Sequence, residues 1–182
     1  FYSSVAANAV SEGADMINDV SGGTMDEKMF DTVAQLNVPY VLMHIQGTPQ
    51  TMQQNPRYEN VVSEIMDILA ERIKKLASLG VNDVILDVGF GFGKTMEHNY
   101  ELLSHLDLFS WFDLPLLAGL SRKSMISKTL NIKAEEALNG TTVLNTLALL
   151  KGASILRVHD VREATEAIRL VKMAEANKFV IS

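Results

Sequence analysis

The chain has 182 residues, 47% of them hydrophobic, enough for one sizeable core and a single domain. Its 22 acidic against 16 basic residues give a net charge of -6, which opposes a sequence-independent grip on nucleic acid or an anionic membrane and points to a small-molecule partner. With no cysteine and no apolar run near the roughly 18 residues of a membrane span, disulfides, thiolate metal sites and transmembrane helices are excluded, and a cytoplasmic protein is expected.

In chain order, the Ala-rich segment Ser3 to Glu12 ends at Gly13 and predicts a helix, after which Asp15 to Val20 reads as a strand. Met25 to Leu36 predicts a second helix, closed by Asn37 ahead of a strand from Val38 to His44. The helix from Val61 to Leu79 is the most regular. Val62, Ile65, Met66, Leu69, Ile73 and Leu76 recur on one face, with Glu64, Asp67, Glu71 and Lys74 on the other. Gly80 ends it before a strand at Asp83 to Val88. Leu114 to Ala118 is the next strand, and a helix opens in Ser121-Arg122-Lys123-Ser124. A helix over Thr141 to Leu150 precedes Gly152 and the strand Ser154 to Val158. The last helix starts at Asp160, whose Asp-x-x-Glu spacing to Glu163 predicts an N-terminal cap.

Runs such as Tyr40-Val41-Leu42-Met43 and Val84-Ile85-Leu86 are continuously apolar, the mark of parallel strands buried on both faces. About five strand-helix units without a linker admit either a doubly wound open sheet or part of a (β/α)8 barrel. Each run ends C-terminally in polar residues: Asn18-Asp19, His44, Asp87, Ser121 to Ser124, and Arg157 with His159 and Asp160. An open sheet gathers its ligand groups at one switch point, whereas clusters at every strand end favour the barrel.

The segment from Asp87 to Thr95 invites a phosphate-loop reading, but only three residues separate Gly89 from Gly93-Lys94-Thr95 where four are needed, and the dinucleotide spacing is also missed. What remains is a carboxylate before a flexible loop with two rings, suited to a planar heterocycle with an N–H edge. The alternative is that Asp87 caps a turn and the rings fill core. Ser121 to Ser124 form an anion site at a helix start, or a Ser cap with solvated charges. Arg157 and His159 lie two apart on one strand face and could hold a phosphate or pyrophosphate. Asn18 is a heterocycle partner or a turn residue. His44 reads as loop structure. No His and carboxylate pair has metal-ligand spacing, and no nucleophile elbow occurs.

Taken together, Ile17-Asn18-Asp19-Val20-Ser21-Gly22-Gly23, Met43-His44 with Gly47-Thr48-Pro49, Asp87 with Gly89-Phe90-Gly91-Phe92-Gly93-Lys94-Thr95, Ser121-Arg122-Lys123-Ser124 and Arg157-Val158-His159-Asp160-Val161 resemble the dihydropteroate synthase family, in order and approximate spacing, through essentially the whole chain. One departure is Val88, where the family usually has proline. The resemblance implies a (β/α)8 barrel of which this chain holds strands four to eight, as one pterin-binding domain over residues 1–182 lacking its N-terminal third. It implies condensation of 6-hydroxymethyl-7,8-dihydropterin pyrophosphate with p-aminobenzoate. Asn18, Asp87 and Lys123 would hold the pterin, Arg157 and His159 the leaving pyrophosphate, and Phe92 and Ser124 would border p-aminobenzoate; Lys123, Arg157 and His159 are the catalytic candidates. Magnesium is the implied cofactor, bound through a loop upstream of Phe1, so no metal ligand is expected here.

The family is commonly a homodimer through late helices, and Val143-Leu144-Leu147-Ala148-Leu149-Leu150 is expected in the core in preference to that interface. The rival readings are a non-catalytic pterin-binding protein or the pterin domain of a corrinoid methyltransferase, which share the barrel, the Asn and the Asp. Because a five-strand arc leaves two sheet edges unpaired, residues 1–182 alone are expected to be unstable and without synthase activity.

Overall fold

The computed structural model describes residues 1–177. Five short strands, β1 (Ile17–Asp19), β2 (Tyr40–Met43), β3 (Val84–Asp87), β4 (Leu116–Ala118) and β5 (Ile155–Leu156), pair in parallel in the order β1-β2-β3-β4-β5. The helices among the described residues are α1 (Ser3–Ser11), α2 (Met29–Leu36), α3 (Val61–Ser78), α4 (Met96–Ser104), α5 (Ser124–Leu130), α6 (Leu138–Leu150) and α7 (Val161–Ala176). Two 3-10 segments, Leu106–Phe112 and Ala134–Glu136, complete the connections.

A doubly wound sheet reverses its strand order so that helices cover both faces; here the order never reverses, and crossovers of one hand put the connecting helices on one side. Burial agrees. Ile17, Tyr40, Leu42, Val84, Leu86, Leu116 and Ala118 join helix residues such as Phe30, Ile65, Leu69, Leu102 and Leu144 in one large core. The alternate strand residues Val41, Ile85 and Leu117, with Ile155 against them, form a separate small cluster on the other face. This is an arc of a β/α barrel, with helices outside and the small cluster inside.

The elements follow local chemistry. Asn60 caps α3 by accepting from the Ser63 N–H at 2.9 Å, and Glu64 accepts in return from the Asn60 N–H at 3.0 Å. The face of α3 that carries Val61, Val62, Ile65, Leu69 and Leu76 is buried against the sheet. α2 starts at Met29 and not at Met25, because the Asp26 carboxylate accepts locally from the Lys28 N–H at 3.0 Å, which holds the chain in a turn, and is tied to the start of α1 by the Ser3 N–H at 2.8 Å. The expected Asp-x-x-Glu cap does not form on α7. Asp160 occupies the cap position, but Arg122 takes its carboxylate at 3.0 and 2.5 Å, a bidentate charge pair stronger than one cap bond. The helical period divides the apolar stretch of α6. Leu144 and Ala148 are buried as expected, whereas Val143, Leu147 and Leu150 are 50%, 42% and 53% exposed. Among the described residues, no helix is long and apolar enough to cross a membrane.

Candidate active site

Pleat parity sorts the strand-end residues. Register aligns Asn18 with Val41 and Ile85, and aligns Met43 with Asp87, Leu117 and Ile155. These rows lie inside the arc, and alternation carries Arg157 to the same side. Asp19 points the other way, into the helix-covered core. There its Oδ1 accepts from the Ser21 N–H and Oγ, both at 2.8 Å, and its Oδ2 from the Gly23 N–H and the Tyr40 hydroxyl, both at 2.7 Å. The polar pair Asn18-Asp19 is therefore two separate things: an exposed amide inside the arc and a buried structural carboxylate outside it.

Asp87 is 1% exposed, and its Oδ1 accepts from the Gly89 N–H at 2.8 Å. The guanidinium of Arg157 stands 3.3 Å from Oδ2, within ion-pair range, but is not aligned for a hydrogen bond, so Oδ2 is buried with none. Arg157 reaches this place across Gly119, where a Cβ would come within 2.7 Å of the guanidinium. Lys123 donates to the Phe90 carbonyl, and its ammonium lies 4.8 Å from the centre of the Phe92 ring. Burial lowers the Lys123 pKa to about 8, against the pull of Asp87 and with a push from Arg157. Ser121 binds His159 twice, through Nδ1 at 2.9 Å and through the backbone N–H at 3.2 Å. A cavity of about 190 Å³ opens among Gly119, Ser121, Lys123, Arg157, Val158 and His159.

Asp87, Phe92, Lys123, Arg157 and His159 thus lie at one end of the arc. Asn18 is two strands from Asp87, roughly 10 Å at about 4.8 Å per strand. Ser124 is exposed at the first position of α5. The Arg122-Lys123 pair does not act as two free cations. Arg122 sits at a left-handed φ of 54°, its N–H donates to Thr141 Oγ1 at 3.0 Å, and its guanidinium is spent on Asp160. A larger open groove of about 860 Å³, among Arg57, Asn60, Glu64, Thr95 and His98, is lined by none of the candidates. Among the described residues no group of three or more His, Cys, Asp or Glu side chains converges as a metal site.

The loop after β3, expected to be flexible, is pinned. Gly89, Gly91 and Gly93 all take positive φ, and the five carbonyls from residue 89 to 93 each accept from a side chain. Lys94 serves Gly89 and Phe92, Lys123 serves Phe90, Gln53 serves Gly91 and Tyr58 serves Gly93. Phe90 is wholly buried in the core, while Phe92 is half-buried. Lys94 turns inward and also meets His44 Nδ1 at 2.9 Å. Neither residue was a site candidate from the sequence, where His44 read as loop and Lys94 as the tail of a rejected phosphate loop. Burial, then the charges of Lys94 and Arg72, push the His44 pKa down to about 2, so its imidazole is neutral.

The profile of the pterin binding enzyme family matches residues 1–159. The chain is 43% identical to the dihydropteroate synthase of Escherichia coli over 162 residues, which is 88% of this chain and 57% of that protein. It superimposes on the dihydropteroate synthase of Yersinia pestis in complex with a sulfonamide drug with a TM-score of 0.91 at 37% identity, covering 97% of this chain and 65% of that one. For the dihydropteroate synthase of Xanthomonas albilineans, in complex with 7,8-dihydropteroate, the TM-score is 0.88 at 36% identity, over 97% and 67%. The chain belongs to the pterin binding enzyme family. It spans just over half the length of the Escherichia coli relative.

Proposed function

We propose that this chain provides the pterin and pyrophosphate side of a dihydropteroate synthase of folate biosynthesis. The observation that carries the reading is Asp87, a buried carboxylate on the inner face of the arc whose Oδ2 has no hydrogen bond, with Arg157 3.3 Å away and Lys123 close enough to feel its charge. An amidine-like N–H edge of a pterin would fill that acceptor, and Asn18 across the arc would take another edge. Arg157 and His159 would hold the pyrophosphate and Lys123 the pterin, with Phe92 and Ser124 bordering p-aminobenzoate.

In this reading the bond from the pterin methylene to the pyrophosphate oxygen breaks and pyrophosphate leaves with the electron pair. The cation left on the pterin is stabilised by the charge of Asp87. The aryl amine then attacks the methylene and sheds its proton, giving dihydropteroate. Catalysis rests on stabilising charge separation and on positioning. No residue and no step is assigned to magnesium. We place the protein in the cytoplasm. A second copy is the partner we assign to the exposed apolar residues Val143, Leu147 and Leu150 of α6 with Leu170 and Met173 of α7.

Calorimetry separates the synthase from a pterin-binding module. Pterin pyrophosphate should bind more tightly than bare hydroxymethylpterin, and Arg157→Ala should erase most of the difference, about 1.5–3 kcal/mol for a charge-assisted contact. Equal affinities in the unsubstituted protein would favour the non-catalytic or corrinoid-methyltransferase reading, in which Arg157 and His159 are idle.

A further inference from the structure

Lys94 is 3% exposed, and all its direct partners are neutral: His44 Nδ1 at 2.9 Å, the Gly89 carbonyl at 2.9 Å and the Phe92 carbonyl at 3.0 Å. An ammonium has three N–H donors and no acceptor, so these three partners saturate it. Burying a cation without a carboxylate in contact is costly, which directs attention to what the three bonds hold. Gly89 is fixed independently, since its N–H is bound by Asp87 and its carbonyl also accepts from the Phe92 N–H at 3.0 Å. Among the described residues the Phe92 carbonyl has Lys94 as its one donor. Lys123 rests on the face of the same Phe92 ring. Lys94 does not line the 190 Å³ cavity.

We propose that Lys94, anchored by His44, is a positioning residue for the aryl-amine side of the site: it fixes the Phe92 carbonyl, and with it the ring that borders p-aminobenzoate, whereas Lys123 is held separately by the Phe90 carbonyl. This deepens the synthase reading and rests on it. The charged neighbours are few. Asp87 favours the Lys94 cation, Lys123 opposes it, and Arg72 acts on His44 from α3. A neutral Lys94 can still make three bonds by accepting from the other tautomer of His44, so the positioning survives loss of the proton and is removed by substitution.

The test is Lys94→Met, which keeps the apolar stem and deletes all three donors. It is measured in the full-length protein by the KM for p-aminobenzoate and by the Kd for the pterin pyrophosphate. The KM should rise about tenfold or more while the Kd stays within about threefold. A KM within about threefold of the parent overturns the proposal. So does a parallel loss of pterin affinity, which would mean that Lys94 only supports the fold. If Lys94→Met does not fold, Lys94→Gln, which retains one N–H donor group, should show the same split at smaller size, and its absence overturns the proposal equally. Asp87→Asn run alongside keeps the two ideas apart. Unimpaired pterin binding in Asp87→Asn sinks the synthase reading itself, whereas lost binding there with unchanged kinetics in Lys94→Met sinks only the role of Lys94.

Discussion

Asp19 and Asp87 are the same residue type at the C-terminal ends of β1 and β3, and both are essentially without solvent exposure. Asp19 accepts four hydrogen bonds, from Ser21 twice, Gly23 and Tyr40. Asp87 accepts one, from Gly89, and its other oxygen has a guanidinium nearby but no bond. An ionised carboxylate has about four acceptor positions, so the first is full and the second is largely open. The difference is one pleat. Asp19 faces the helix-covered side, where unfilled capacity would be pure cost, and Asp87 faces the inside of the arc, where a ligand can complete it. Unsatisfied capacity, more than burial or charge, is what singles out Asp87 as the carboxylate we propose for the ligand.

The comparison breaks most visibly in stability. Asp19→Asn places an amide N–H₂ against donors that now lack an acceptor, and should cost about 3 kcal/mol. For a chain of this size that lowers Tm by about 6–12 °C. Pterin affinity of the folded fraction should hold. Asp87→Asn should show the opposite pattern, with pterin affinity falling about 30- to 150-fold, the worth of a charge-assisted contact of about 2–3 kcal/mol, while Tm moves less than in Asp19→Asn. Equal Tm losses in the two variants would refute the division of labour between the two faces.

The sequence made the strands and the barrel legible because continuous apolar runs need cover on both sides, and polar residues at all five run ends need a common mouth. It did not make the faces legible. Asn18 and Asp19 are adjacent in sequence and read as one cluster, and only the pairing of Asn18 with Val41 and of Asp19 with Leu42 sends them to opposite sides. Asp160 misled for a different reason. The Asp-x-x-Glu pattern is a local signal, and the competing partner, Arg122, is 38 residues away. The burial of Lys94 was not legible, because a lysine beside a glycine-rich loop is ordinarily solvated. A signal was nonetheless present: alternate glycines at 89, 91 and 93 turn successive carbonyls away from any ladder, and each of those groups must find a donor.

The remaining prediction sharpens the comparison from its cationic side, with the smallest expected effect. Burial, partly offset by Asp87 and reinforced by Lys123, lowers the pKa of Lys94 from 10.5 to about 7. Between those values the unfolded chain holds a proton on Lys94 that the folded chain has released, so raising the pH favours the folded state. The stability linked to this group is complete above 10.5 and is lost as the pH falls through about 7. From pH 7 to pH 9 the gain is about 2 kcal/mol. Lys123, lowered to about 8, adds a smaller gain of the same sign at the upper end of that range. Tyr40 and Tyr58, whose hydroxyls are raised by burial, reverse the trend above about pH 10, where an unfolded tyrosine ionises and a buried one does not. Urea midpoints measured at pH 7, 8 and 9 should therefore climb in the parent protein, and Lys94→Met should remove most of the climb between pH 7 and 8. A flat profile in the parent, or an unchanged slope in Lys94→Met, would mean that Lys94 keeps its proton in the fold, and that the loop beside Asp87 carries a full buried charge at every pH where the protein is stable.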